Sequence, residues 1–262
     1  MLAKKSLGQN FLMHRQTAER IAEAAGIPEG ATVLEIGPGT GMLTRALLSR
    51  AGKVIAVEAD ARLVPELEEA FADEIGEGRL ELIHADIRAF DTKAIGSPYH
   101  LVANIPYYLT GEIFRQFLTA PRQPASMTLL VQKEVAERVA RSRKESLLSL
   151  SVKAFGTPEY KFTVPRGAFR PAPKVDSAVL RIGGITRNSF ASPEEEARFF
   201  EVLRAGFAHK RKRLAKNLEE RWGRGQAVAA LAAAGIGPDA RAEELPLPSW
   251  MELARNMKDG RD

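Results

Sequence analysis

The sequence predicts an α/β fold, a mostly parallel sheet wound with helices, followed by a small all-helical domain. Three observations carry this. First, Thr32-Val33-Leu34-Glu35-Ile36-Gly37-Pro38-Gly39-Thr40-Gly41-Met42-Leu43-Thr44 reads as a buried strand, a tight glycine turn and a helix start, with Leu43, Ala46 and Leu47 at helical spacing. Second, later apolar runs also end in polar groups, at Glu58, Asp86 and Asn104. Such groups line one crevice when they lie beyond successive strand ends of an open sheet. Third, the alternation stops near residue 185 and only helical spacing follows, which divides the chain into 1–185 and 186–262.

Composition removes several function classes. With 262 residues there is room for one large or two modest domains. No Cys is present, so disulfides and thiolate zinc sites are excluded. His14, His84, His100 and His209 are scattered without ligand spacing, so no metal is expected. No apolar run is long enough to span a bilayer, and the start lacks the apolar core of a signal peptide. The expectation is a cytoplasmic, monomeric protein. A net charge of +5 fits a polyanionic partner, though by itself only weakly.

Taken in order, the basic start runs into Gln9-Asn10-Phe11-Leu12, side-chain amides beside a buriable aromatic. That composition suits a segment that docks as well as a loose terminus. A helix over about 15–25 ends at Gly26 and Pro28. The glycine turn is Gly-x-Gly-x-Gly, not the dinucleotide Gly-x-Gly-x-x-Gly, which suits a nucleoside cofactor without a pyrophosphate. Helix 43–50 leads to strand 53–58, whose Glu58 lies about 17 residues past the last glycine, near the spacing at which an acid meets ribose hydroxyls. A solvated strand end is the plainer alternative. Helix 63–71 and strand 80–84 then place Asp86, an acceptor for an adenine amine or simply a turn residue.

Strand 99–103 enters Asn104-Ile105-Pro106-Tyr107-Tyr108. Pro106 fixes its own φ and keeps Ile105 out of the helical region. This stiff corner offers an amide oxygen, a carbonyl and a flat ring. Strand 125–131 and helix 132–140 continue the pattern, and strands are expected around 148–155 and 177–182. Between them lies Phe169-Arg170-Pro171-Ala172-Pro173, with Phe169 either a core plug or one face of a base sandwich. After a linker at 183–189, helices are expected at 193–206, 210–221, 225–234 and 248–257. The block Lys210-Arg211-Lys212-Arg213 with Lys216 would hold phosphates or form a solvated charge run.

Together these motifs resemble the ribosomal RNA adenine N6,N6-dimethyltransferases, in particular the bacterial small-subunit branch. The anchors are Gly8–Leu12, Glu35–Gly41, Glu58, Ala85-Asp86, Asn104–Tyr107, Gln132–Val135, Phe169–Ser177 and Phe207–Lys212, spread over nearly the whole chain. The resemblance implies a Rossmann-like class I methyltransferase sheet of seven strands with the last antiparallel, and S-adenosyl-L-methionine as cofactor. By that resemblance Asn10 and Leu12 fold over the cofactor, Gly37 approaches its methionine part, Glu58 holds the ribose and Asp86 the adenine. Asn104 borders the donor methyl, and Gln9, Gly39 and Gly41 complete the cofactor side.

The implied substrate is ribosomal RNA in the immature small subunit, at two adjacent adenosines in a hairpin loop near the 3′ end of 16S RNA. Asn104, Ile105, Pro106 and Tyr107 would present acceptors to the adenine amine, Tyr107 and Phe169 would clamp the ring, and Lys210, Arg211, Lys212, Arg213 and Lys216 would bind RNA. Two features depart from the family pattern: Tyr108 follows the Asn-Ile-Pro-Tyr corner, and Ser146-Leu147-Leu148-Ser149 replaces a Tyr-Gly pair. They leave open a single adenine in 23S RNA, as in macrolide-resistance enzymes, and a non-catalytic assembly or transcription factor.

Overall fold

The computed structural model of the chain describes residues 8–96 and 98–257, so Lys4 and Lys5 of the basic start lie outside the described residues. The chain forms two compact units: residues 1–137 with 156–185, and residues 138–155 with 186–262.

The first unit opens with a two-residue strand, β1 (Phe11–Leu12), and helix α1 (Arg15–Ala24). Strand β2 (Thr32–Ile36) feeds the glycine turn and α2 (Met42–Leu48); β3 (Lys53–Glu58), α3 (Val64–Ala70), α4 (Ala72–Gly76) and β4 (Leu80–His84) follow. Then come β5 (Tyr99–Asn104), α5 (Thr110–Leu118), β6 (Ser126–Gln132) and α6 (Lys133–Ala140), and finally β7 (Thr157–Val164), β8 (Phe169–Arg170) and β9 (Ser177–Gly183). The main sheet has seven strands in the order β4-β3-β2-β5-β6-β9-β7. The first five are parallel, and β9 is antiparallel to both β6 and β7.

Register sets the site. Ile36 lies level with Val57 on one side and with Ala103 on the other. The next residues along these strands, Gly37, Glu58 and Asn104, therefore emerge together at one edge. Val33 and Val54 face a core shared with Ile21 of α1 and Leu47 of α2; Leu34 and Ile55, one residue along, are buried on the opposite face.

The segment expected as a strand around 148–155 is helix α7 (Leu147–Lys153) and falls in the second unit. Its alternation of Leu and Ser reads as period two, but local capping decides. The Ser146 side chain accepts from the Ser149 amide at 3.1 Å, and Ser149 Oγ accepts from the Ser146 amide at 2.7 Å, a reciprocal capping box. Leu150 and Ala154 then enter the helical core. Strand β7 was not expected. It is a sheet edge carrying Pro158, and Pro is tolerated only where no ladder bond is lost.

The second unit also contains α8 (Pro193–Gly206), α9 (Leu214–Ala233) and α10 (Leu247–Asn256) around Phe199, Leu203, Leu218, Trp250 and Leu253. Ser192 caps α8 by accepting from the Glu195 amide, and Pro193 sits in the first turn. Gly223, at φ 76° and ψ 160°, breaks α9 between the two helices expected there. The start of α9 is Leu214, not residue 210, so Lys210–Arg213 form a loop. Asn217 donates from Nδ2 to the carbonyls of Gly206 at 2.6 Å and His209 at 3.2 Å, which holds that loop against the helix. Among the described residues no helix is long and apolar enough to cross a membrane.

Candidate active site

The strand ends of the first unit surround an open cavity of about 1090 Å³, part of it the mouth to solvent. Its lining includes Gln9, Asn10, Leu12, Gly37, Gly39, Glu58, Asp86, Asn104, Ile105, Pro106, Tyr107 and Phe169. The sequence-predicted residues of the cofactor and base groups therefore meet in one place, with one exception. Gly41 is not part of the lining: it caps α2 at φ 78°, and a Cβ there would lie 2.5 Å from the Phe71 ring. Its glycine is required by packing.

The other two glycines divide the work differently. Gly37 has φ +66°, and a Cβ built on it would meet nothing within 4 Å; the turn leaves open room beside its backbone. Gly39, at φ +60°, lies against Phe11, whose ring would be 3.0 Å from a Cβ. The glycine turn is thus roofed by the amino-terminal segment. β1 pairs with β8, Phe11 opposite Arg170 and Leu12 opposite Phe169. Gln9 Nε2 donates to Asp60 at 3.0 Å.

Glu58 is buried, and its carboxylate accepts from the amides of Asp60 at 2.8 Å and Gly39 at 3.1 Å. Burial raises its pKa above the ordinary carboxylate value, and the amide donors offset part of that. Each oxygen keeps a second lone pair for a ligand hydroxyl. Asp60, absent from the sequence expectations, is held far below the ordinary carboxylate range, mainly by hydrogen bonds from Arg62. The Asp60-x-Arg62 spacing just past a strand end is the signal that would have found it. Asp86 caps a short turn by accepting from the Arg88 amide at 2.9 Å and pairs with the Arg88 guanidinium, which lowers its pKa. It is a turn residue and a cavity residue at once.

Asn104 is oriented by a single contact. Its Nδ2 donates to the Asn10 carbonyl at 3.0 Å. A carbonyl can only accept, so this contact fixes which way the amide points and leaves Oδ1 as an acceptor. No described residue donates to the neighbouring Ile105 carbonyl. Tyr107 is tied through its hydroxyl to Ser177 Oγ at 2.7 Å, and burial raises its pKa. Phe169 is packed in the core and also lines the cavity.

Beneath the glycine turn, Glu35 is 1% exposed and neither of its oxygens has a hydrogen-bond partner. Burial pushes its pKa up to about 8; Thr44 tempers the shift without being aligned to donate, and the nearby Glu58 charge adds to it.

The model of a family described as ribosomal RNA adenine dimethylase matches residues 1–259. The chain belongs to that family. With membership come the activity class and the methyl donor: it is an S-adenosylmethionine-dependent methyltransferase. The dimethylase is 43% identical over 257 residues to the ribosomal RNA small subunit methyltransferase A of Dehalococcoides mccartyi, covering 96% of this chain and 87% of that protein. It is 40% identical to the protein of the same name from Caulobacter vibrioides, covering all of both chains. Among solved structures, the 23S rRNA methyltransferase ErmE superposes with a TM-score of 0.75 at 30% identity, covering 95% of this chain and 99% of that one. A dimethyladenosine transferase from Plasmodium falciparum gives 0.80 at 26% identity, covering 93% and 95%.

Proposed function

We propose that this dimethylase transfers methyl groups to the N6 amines of two adjacent adenosines in a hairpin loop near the 3′ end of 16S ribosomal RNA, in the cytoplasm, on the immature small subunit. The observation that carries the reading is the Asn104-Ile105 corner. There a fixed amide oxygen and an unclaimed carbonyl border a cavity that suits a nucleoside cofactor.

The residues present fit S-adenosylmethionine, which supplies a methyl group on a sulfonium. Gly37 would leave room for its methionine part, Glu58 would accept from the ribose hydroxyls, Asp86 would take the adenine amine, and Gln9, Asn10 and Leu12 would cover it; all of them line the cavity. On the substrate side, Asn104 Oδ1 and the Ile105 carbonyl accept the two N6 hydrogens. This draws a nitrogen that is normally planar toward tetrahedral geometry and aims its lone pair. Both acceptors are neutral, so the amine is positioned and not deprotonated beforehand. The proton leaves afterwards from a methylated, positively charged nitrogen acidic enough to give it to water. Tyr107, steadied by Ser177, and Phe169 flank the ring, which has to be unstacked to enter.

RNA affinity is assigned to the helical unit. Within its basic block, Lys212 pairs with Glu220 at 2.9 Å, Arg213 with Asp239 at 2.7 Å and Lys216 with Glu219 at 2.8 Å. Lys210 and Arg211 have no ion pair among the described residues, so they are the cations ready for phosphate. The 16S choice rests on relatives of 40–43% identity named for the small subunit, against 30% for the 23S enzyme. Small-subunit particles lacking the methyls and large-subunit particles, each offered with labelled donor, test it. Label at two neighbouring 16S adenines is expected; label confined to 23S RNA, or none, overturns the assignment.

A further inference from the structure

Tyr107 and Tyr108 follow each other in one tight turn but are placed very differently. Tyr107 is half-buried and its hydroxyl is spent on Ser177. Tyr108 is 63% exposed, the most exposed large apolar side chain among the described residues, yet it still lines the cavity mouth. Among the described residues its hydroxyl has no hydrogen-bond partner. One edge of the ring is flanked by the amino-terminal segment: a Cβ on Gly8, which sits at φ +60°, would lie 3.1 Å from Tyr108 Cε1 and 3.3 Å from Pro106 Cβ. Arg88, the one cation lining the cavity among the described residues, lies within electrostatic range of the Tyr108 hydroxyl. An aromatic face left in water beside an active site is a stacking platform without its base.

We infer that Tyr108 stacks on the nucleobase adjacent in sequence to the target adenine; Arg88, already paired with Asp86, borders the same mouth without being a free cation for the backbone. The inference rests on the RNA reading above and adds a subsite to it. The target base enters between Tyr107 and Phe169, and the chain leaving that slot has to pass the cavity mouth, where Tyr108 stands. Because the proposed target is a pair of adenines, the base held there is the second substrate. Tyr108 keeps it at the mouth during the first transfer.

The test uses the whole protein and methyl-free small-subunit particles, intact or assembled on 16S RNA with an abasic residue beside the target adenine. Tyr108→Ala is expected to raise KM for the intact particle about tenfold, as loss of one stacked base implies. The turnover number and the Kd for S-adenosylmethionine stay unchanged, and Tyr108→Trp keeps the parent KM. The abasic particle raises the parent enzyme's KM by a similar factor and leaves that of Tyr108→Ala where it was. An unchanged KM in Tyr108→Ala overturns the inference. So does a loss confined to cofactor affinity, which would make Tyr108 part of the cofactor cover, or an abasic penalty of equal size in both proteins. If the parent enzyme leaves the intact particle unmethylated, the small-subunit reading itself fails; if it methylates it and Tyr108→Ala does so at the same KM, only the Tyr108 assignment falls.

Discussion

The Asn104–Tyr107 corner and the Lys210–Arg213 loop, proposed as the base site and the RNA-backbone site, are built in opposite ways. In the corner every group is neutral and fixed by another part of the unit: the Asn104 amide by Asn10, the Tyr107 hydroxyl by Ser177, and Ile105 by the proline that follows it. In the loop the backbone is fixed, by Asn217 and by the Leu214 amide donating to the Ala240 carbonyl at 2.9 Å, but the working groups are exposed charges, several already matched by acids. A fixed neutral site works by position and fails all at once. An exposed charged one works by sum and fails by degrees.

The sharpest way to break that contrast is Asn104→Ala. Turnover should fall on the order of 10²–10³-fold, as for loss of one preorganised polar group, while RNA affinity is kept. Single-turnover rates and equilibrium RNA binding check it, and unchanged turnover would remove the corner from the mechanism.

The next effect is on stability and concerns the floor of the glycine turn. Folded Glu35 holds a proton up to about pH 8, whereas an unfolded glutamate releases it near 4.5. Stability therefore declines as pH rises from about 4.5 to about 8, by at most about 1.4 kcal/mol per pH unit. Glu58, also raised, acts in the same direction, and Asp60, lowered, acts only below the ordinary aspartate value of 3.8. Glu35→Gln should flatten the decline in denaturant titrations across that window. An identical slope would mean that Glu35 finds a partner in solution.

In the loop, replacing Lys210 and Arg211 together by Ala should weaken RNA binding about tenfold at moderate salt and lower the salt slope by about 1.5, as loss of two phosphate contacts implies. Turnover at saturation should be kept. The same pair of changes at Lys212 and Arg213 should do less, since those cations are already matched. Equal effects would say that their ion pairs open on binding. The smallest effect expected is a gain: Glu220→Gln frees His209 and Lys212 and should tighten RNA binding about twofold at low salt, vanishing as salt screens it.

Most of the sheet was legible because its strands are continuous apolar runs bounded by glycine, proline or acids, as in 32–36, 53–58 and 99–104. Where the pattern was mixed, it misled. Leu147–Lys153 alternates like a strand, yet Ser149, one of the two serines that produce the alternation, completes with Ser146 the cap of a helix. Edge strand β7, with Pro158, Glu159 and Lys161, shows no apolar run because one neighbour is enough to hold it.

In the site, the residue types on strand ends were legible, and so was the stiffness of the corner. The three glycines looked equivalent in sequence, and only packing separates Gly37, facing open room, from Gly41, facing Phe71. Glu35 stood in the sequence only as the start of the glycine motif, because it matters through burial, which no local spacing reports; Asp60 did carry a local signal, the arginine two residues on, that went unread.

Phe11 and Leu12 cover the cavity through a ladder only two residues long, opposite Phe169 and Arg170, supplemented by the Met13 amide donating to the Ala168 carbonyl at 2.9 Å. Converting one adenine fully takes two donor molecules, so the spent one has to depart before the second methylation begins. A ribbon this small parts far more cheaply than the seven strands below it. The seam between the amino-terminal residues and the Phe169 strand is therefore the part of the cavity wall that yields at least cost when the donor is exchanged.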